Sequence, residues 1–152
     1  MANDLASFSE KIRQAAQNIE RNSVEIQKDI AMRVLTEVVR ATPVDTGRAI
    51  SNWLVESGSA PSYHLDEAHT PGQSGTTRES NIQQTVDIGD KRIASHRKGE
   101  LHITNNLDYI ADLNEGSSKQ APAHFVQIAA LSASKSGAVR SILASTPGAR
   151  VN

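Results

Sequence analysis

A long, one-sided apolar run near the N-terminus constrains the fold of this chain more than any other feature. No glycine or proline interrupts the sequence from Asp4 to Ala41, and apolar residues recur there at steps of three, four and seven: Leu5, Phe8, Ile12, Ala15, Ala16, Ile19, Ile26, Ile30, Val34, Leu35, Val38 and Val39. This spacing predicts one helix of about 35 residues, roughly 50 Å long, with an apolar stripe on a single face. Because propensity alone does not stabilise such a helix, its stripe must lie against something.

A free coiled coil is the alternative use of such a helix. The apolar stripe slips in phase near Asn22 to Val24 and does not keep strict heptads. Since regular heptads are the main sequence signal of a coiled coil, packing within a domain is the favoured interpretation.

The composition predicts a small core that neighbouring subunits complete. A chain of 152 residues suits one domain, and aromatic residues make up only 3% of it, so Ile, Leu, Val and Ala must form its core. Such a core is thin for an isolated monomer, and burial against other subunits adds stability. We therefore expect a homo-oligomer.

The composition argues against several classes of function. The chain has no cysteine, which excludes disulfides and thiolate metal sites. Its formal net charge is −1, with both signs interspersed, so composition gives no case for nucleic-acid binding. No apolar segment approaches the ~20 residues that span a bilayer, and no signal-peptide pattern is present. The expectation is a soluble protein used without export and without a membrane.

The segment after the long helix is predicted to turn and then form a strand. Pro43 ends the helix because it pushes the preceding residue out of the α region. Asp45, Thr46 and Gly47 predict a tight turn in which the Asp45 side chain accepts a backbone N–H two residues on, and Gly47 takes a positive φ. Alternation from Arg48 to Glu56 predicts the first strand.

Residues 57–80 are rich in Gly, Ser, Thr and Pro and predict an exposed, mobile loop. The rest of the chain predicts a helix over 81–97 that breaks at 87–90, a strand over 100–104, a helical turn over 107–115, a helix over 123–145 and a flexible tail over 146–152. Pro122 is expected at the first turn of the last helix. The predicted fold is a single α+β domain, residues 1–145, in which a long N-terminal helix and shorter helices pack on a small antiparallel sheet.

Two clusters of residues offer candidate chemistry. Asp45-Thr46-Gly47 is the triplet of aspartic proteases, whose paired carboxylates share a proton, but a helix and Pro43 precede it where those enzymes have an apolar strand. The sequence therefore favours a structural turn. His64, Asp66, Glu67 and His69 are crowded enough for a metal site, yet they lie in a Gly/Ser-rich loop where polar residues are expected. No catalytic residue and no metal ligand is predicted, and His96, His102 and His124 are interpreted as surface or partly packed residues.

Two segments, taken together, resemble a known family. The first is Thr42-Pro43-Val44-Asp45-Thr46-Gly47-Arg48, followed by Asn52-Trp53. The second runs from Ile103 through Asn105 to Tyr109, continues with Leu113-Asn114-Glu115-Gly116 and ends with Ser118-Lys119-Gln120-Ala121-Pro122. Their order after a long helix is similar to that in the tail-completion or neck proteins of long-tailed, lambda-like bacteriophages. The Ala123-His124-Phe125 that follows Pro122 departs from the family pattern, in which a Gly is expected.

The resemblance implies a structural virion protein without cofactor or enzymatic activity. Such a protein forms a ring, expected to be a hexamer, at the head–tail junction. Its partners there are connector or adaptor proteins and the tail tube or tail terminator, and phage DNA passes through the ring without sequence-specific binding. The residues that carry the interaction and structural motif are Pro43, Asp45, Thr46, Gly47, Arg48, Trp53, Asn105, Tyr109, Glu115, Gly116, Gln120 and Pro122. A tail terminator ring, a hydrolase and a helical adaptor outside a virion remain the alternatives.

Overall fold

A computed structural model of the chain describes residues 2–135, and the C-terminal part of the last predicted helix and the predicted tail lie outside them. The elements, in chain order, are α1 (Ala2–Ala41), α2 (Arg48–Ser51), β1 (Leu54–Ser57), α3 (Arg78–Ser95), β2 (Leu101–Thr104), α4 (Ile110–Asn114) and α5 (Phe125–Ser134). The strands β1 and β2 form a two-stranded antiparallel sheet in which Val55 lies opposite Ile103. The fold is therefore α+β, as predicted. None of the helices within residues 2–135 combines the length and the apolar character needed to cross a membrane.

The apolar residues of α1 lie on two faces, not on the single predicted one. In the C-terminal half, Ala31, Leu35, Val38 and Val39 are buried in the core. In the N-terminal half every side chain from Leu5 to Arg21 is exposed except that of Glu10, which is half-buried. At about 100° of rotation per residue, the exposed apolar residues lie roughly 130° around the helix from the buried ones. We call the exposed set, Leu5, Phe8, Ile12 and Ile19, the N-terminal stripe.

The core is built where the C-terminal half of α1 meets α3, α5 and the sheet. Its buried members are Ala31, Leu35, Val38, Val39, Val44, Ile50, Trp53, Val55, Ile82, Ile93, Phe125 and Ala129. The predicted break at 87–90 is wrong, because α3 runs without interruption through Gly89. A Cβ atom at Gly89 would lie 2.2 Å from Leu35 Cδ2, so the glycine serves the close approach of α3 to α1.

The first predicted strand is only partly correct. Residues 48–51 form the short helix α2, and the strand covers only Leu54–Ser57. The Asn52 side chain explains the difference, because its Nδ2 donates to the Arg48 carbonyl at 2.9 Å and thereby closes a helical turn. The buried Ala49 and Ile50 fit either interpretation of the pattern.

The end of the described chain departs from expectation at two points. Helix α5 begins at Phe125 and not at Pro122, because His124 precedes it in the left-handed region with φ 63°. His96 was expected at the surface or partly packed, but it is fully buried. Its Nδ1 lies 2.7 Å from Ser57 Oγ and its Nε2 lies 2.8 Å from Gln27 Oε1, so two hydrogen bonds satisfy the ring and tie α1 to the end of β1.

Candidate functional site

The two segments that carry the family resemblance meet directly in the folded chain. Gln120 Oε1 accepts from the Val44 N–H at 2.9 Å, and Gln120 Nε2 donates to the Val44 carbonyl at 3.0 Å. Asn105 Nδ2 adds a bond of 2.9 Å to the Ala49 carbonyl. Side-chain amides thus join the turn after α1 to the connection between β2 and α5.

An open cleft of about 440 Å³ lies between these two segments. Its lining comes from both of them: Pro43, Val44, Asp45, Thr46, Gly47, Arg48, Ala49, Tyr109, Leu113, Ser118 and Gln120. Val44 and Ala49 are buried and Leu113 is half-buried, so the cleft has an apolar floor. We call it the motif cleft. Its volume lies in the range typical of binding clefts.

Arg48 and Tyr109 supply polar groups to the motif cleft. The Arg48 Nε donates to the Leu65 carbonyl at 3.2 Å. Burial raises the pKa of the Tyr109 hydroxyl, and the nearby positive charge of Arg48 opposes that rise. A guanidinium and a phenol therefore line the cleft within electrostatic range of each other, and Asp45, Thr46, Ser118 and Gln120 add further polar groups to its lining.

The Asp45 carboxylate makes a different contact from the predicted one. The Asp45 Oδ1 accepts from the Ser74 N–H at 3.1 Å, and the main-chain carbonyl of Asp45 accepts from the Gly75 N–H at 2.8 Å. The bond within the turn comes from Thr46, whose Oγ1 accepts from the Arg48 N–H at 3.3 Å. Gly47 has a positive φ of 87°, as predicted. Asp45 therefore fastens the turn to the loop that follows β1 instead of closing the turn itself.

Two buried asparagines organise that loop, and neither had been assigned this role from the sequence. Asn52 Oδ1 accepts from the Leu65 N–H at 2.7 Å, and Asn52 Nδ2 donates to the Leu65 carbonyl at 3.1 Å. Asn81 does the same for Thr70, with 2.8 Å for both bonds. Residues 58–77 contain no helix or strand, as their composition predicted, yet their backbone is held at these points.

The remaining motif residues have structural positions that the geometry explains. Trp53 is buried, and its Nε1 donates to Thr42 Oγ1 at 2.7 Å. Gly116 has a φ of 96°, and a Cβ atom there would lie 3.2 Å from the Ala123 Cβ. Glu115 and Pro122 are exposed beside this bend. Each of these residues holds or borders a bend of the backbone, and none of them lines the motif cleft.

Of the two loop histidines, His64 lies close to an acidic residue and His69 is half-buried. His64 Nε2 lies 3.6 Å from Asp66 Oδ1, and burial lowers the pKa of His69. Within residues 2–135, no three side chains of His, Cys, Asp or Glu are placed to hold a metal ion together.

A scan against protein-family models, a search of curated proteins and a search of solved structures each found no match to this chain.

Proposed function

We propose that this protein is a structural subunit of the head–tail junction of a tailed bacteriophage. The observation that carries the proposal is the convergence of the two resembling segments. Val44 and Gln120, separated by 76 positions in the sequence, pair through two hydrogen bonds, and both line the motif cleft. Residues that converge without forming a reactive centre fit an assembly protein, since interaction sites are often built on turns held by a rigid scaffold.

The exposed stripe on α1 supports assembly into a larger body. All four side chains of the N-terminal stripe are exposed, and Leu5 and Phe8 are the most exposed, at 74% and 61%. Such an alignment of exposed apolar side chains on one helix face is typical of an interaction surface. The proposed assembly is a homo-oligomeric ring, expected to be a hexamer, placed between the connector or adaptor proteins and the tail tube or terminator. It belongs to the virion and forms in the host cytoplasm. DNA passes through it, and it takes no cofactor.

A structural role suits Asp45 better than a catalytic one. A protease carboxylate must exchange a proton with its pair, whereas the Asp45 carboxylate accepts a backbone N–H from Ser74. The proposal therefore treats the protein as a non-enzyme, with Asp45 acting as the anchor of a loop.

Complementation of a phage that lacks the gene tests the proposal. The variant Glu115→Lys reverses an exposed charge beside the bend at Gly116, and rim charges affect association more than stability. We expect folded protein but few joined particles. Asp90→Lys makes the same reversal at an exposed position of α3 and should complement normally.

Electron microscopy of particles made without the protein identifies the ring. If the protein is a tail-completion protein, its absence should leave filled heads and separate tails of normal length. Tails of uncontrolled length would instead identify a terminator, because nothing would stop growth of the tube. Normal joined particles in the absence of the gene would exclude both roles.

A further inference from the structure

We propose that the N-terminal stripe of one copy docks into the motif cleft of a second copy. The contact deepens the proposed function, because it names the surfaces that would join ring subunits. The docking itself needs only two copies of this chain and can be tested without a phage particle.

The stripe has the spacing of a helix that binds in a groove. Leu5, Phe8 and Ile12 follow at intervals of three and four, which places them on one line of α1 over about 10 Å. The nearest charged pair, Arg13 with Glu10 at 2.6 Å, is satisfied within the helix itself. Small residues flank the line at Ser9, Ala15 and Ala16, so another backbone can approach closely.

The motif cleft matches this helix in size and character. Three side chains of Leu, Phe and Ile occupy on the order of 300 Å³, which at interior packing density nearly fills a cleft of about 440 Å³. The floor formed by Val44, Ala49 and Leu113 is apolar, and Tyr109 offers an aromatic edge to Phe8.

The geometry of α1 requires that the two surfaces belong to different copies. Phe8 and Pro43 are separated by 35 positions in the sequence, and a helix of that length is about 50 Å long. An uninterrupted helix from Ala2 to Ala41 therefore keeps the stripe away from the cleft of its own chain. A reciprocal pair or a head-to-tail ring satisfies both surfaces, and ring closure is the form that the proposed function requires.

The area of the contact predicts weak association in solution. Leu5, Phe8 and Ile12 carry about 100 Å² of exposed apolar surface each. The cleft adds less, because its floor residues are already largely buried, so helix and cleft together bury on the order of 400 Å². That is below the size of a standard stable interface, about 1,600 Å². Association should therefore depend on concentration and be strengthened by closure of a ring.

Disulfide trapping tests the contact cleanly because the natural chain has no cysteine. One protein carries Ser9→Cys beside the stripe, and the other carries Ser118→Cys in the cleft lining. Both are mixed at about 0.5 mM under mild oxidation, and cross-linked pairs are counted on a non-reducing gel. The control replaces Ser9→Cys with Gln17→Cys, which lies on the opposite side of α1 from the stripe. We expect the mixed cross-link between Ser9→Cys and Ser118→Cys to be at least ten times more abundant than the mixed cross-link in this control.

Two further variants decide between the outcomes. Phe8→Asp, added to the Ser9→Cys protein, should abolish the mixed cross-link while leaving circular dichroism unchanged, since Phe8 is exposed. Tyr109→Ala should weaken it from the side of the cleft. If two Ser9→Cys proteins cross-link to each other more than Ser9→Cys cross-links to Ser118→Cys, the stripes pair with each other. That result would overturn the proposal. Cross-linking no greater than that of the Gln17→Cys control would overturn it as well. Either result leaves the junction role, which complementation tests, intact.

Discussion

Gln120 pairs with the main chain of Val44 through both of its polar side-chain atoms, as a neighbouring strand would. The amide accepts from the Val44 N–H at 2.9 Å and donates to its carbonyl at 3.0 Å. One side chain thereby supplies a donor and an acceptor to the backbone of Val44, which lies just past the end of α1 and outside its helical hydrogen bonds. The relative position of the two walls of the motif cleft depends on this contact.

The first prediction follows from that pair. Gln120→Ala removes both bonds and leaves the N–H of the buried Val44 without its partner, which should lower the free energy of unfolding by about 1–3 kcal/mol. Chemical denaturation measures the loss. Lys119→Ala, at the exposed neighbouring position, is the matched control and should change stability by no more than ~0.5 kcal/mol. Equal stability of the two variants would show that water replaces the glutamine.

The second prediction concerns the anchor between Asp45 and Ser74. Asp45→Ala removes the acceptor of the Ser74 N–H and should cost on the order of 1 kcal/mol. Asp45→Asn keeps an oxygen at that position and should cost less. Limited proteolysis should cut the loop of residues 57–80 faster in the alanine variant, with the asparagine variant close to the natural protein. Loss of a peptide-cleaving activity in well-folded Asp45→Asn protein would instead support a protease.

The third prediction tests the close approach of α3 to α1. Gly89→Ala gains helix propensity of up to about 1 kcal/mol, but its Cβ would lie 2.2 Å from Leu35 Cδ2. Overpacking of this kind costs typically 1–3 kcal/mol, so we expect net destabilisation. Adding Leu35→Ala should relieve the clash, and a double-mutant cycle should show a coupling of at least ~1 kcal/mol. Additive effects would mean that α3 shifts freely.

The sequence predicted those elements whose periodicity reports burial. α1 was predicted because its apolar positions recur over many turns, and β2 because Leu101 and Ile103 alternate with polar residues. Alternation from Arg48 to Glu56 predicted one strand, but its first four residues, Arg48 to Ser51, are too few to separate alternation from one helical turn. The break expected at Gly89 failed for another reason, since its missing side chain serves packing between helices and not local flexibility.

The organisation of the loop and of the cleft could not be predicted from the sequence in the same way. Asn52 and Asn81 bind backbone groups 13 and 11 positions away, respectively, and no periodicity records a contact between a side chain and a distant main chain. Gln120 and Val44 both lie in the two resembling segments, but nothing in the sequence pairs one with the other. The division of α1 into a buried and an exposed face was only partly visible: the apolar stripe slips in phase near Asn22 to Val24, but the position of the other helices decides which half is buried.

The fourth prediction concerns pH and the half-buried His69. Burial lowers the pKa of this side chain in the folded state below the ordinary value of 6.5. The unfolded chain therefore binds a proton first as the pH falls, so the contribution to stability is complete above pH 6.5 and is lost as the pH drops through it toward the folded-state pKa. Guanidinium midpoints at about pH 7.5 and pH 5.5 measure this loss.

The variant His69→Asn should flatten that pH dependence while keeping the main-chain bond from the residue 69 N–H to Ser51 Oγ, 3.0 Å long, which does not involve the imidazole. His64→Asn makes the same substitution at an exposed position of the same loop and controls for the exchange of residue type. If His69→Asn and the natural protein lose stability equally between the two pH values, the dependence arises from other groups. In that case His69 is hydrated in the folded protein as well, and the loop beside Ser51 is more open to water than its contacts imply.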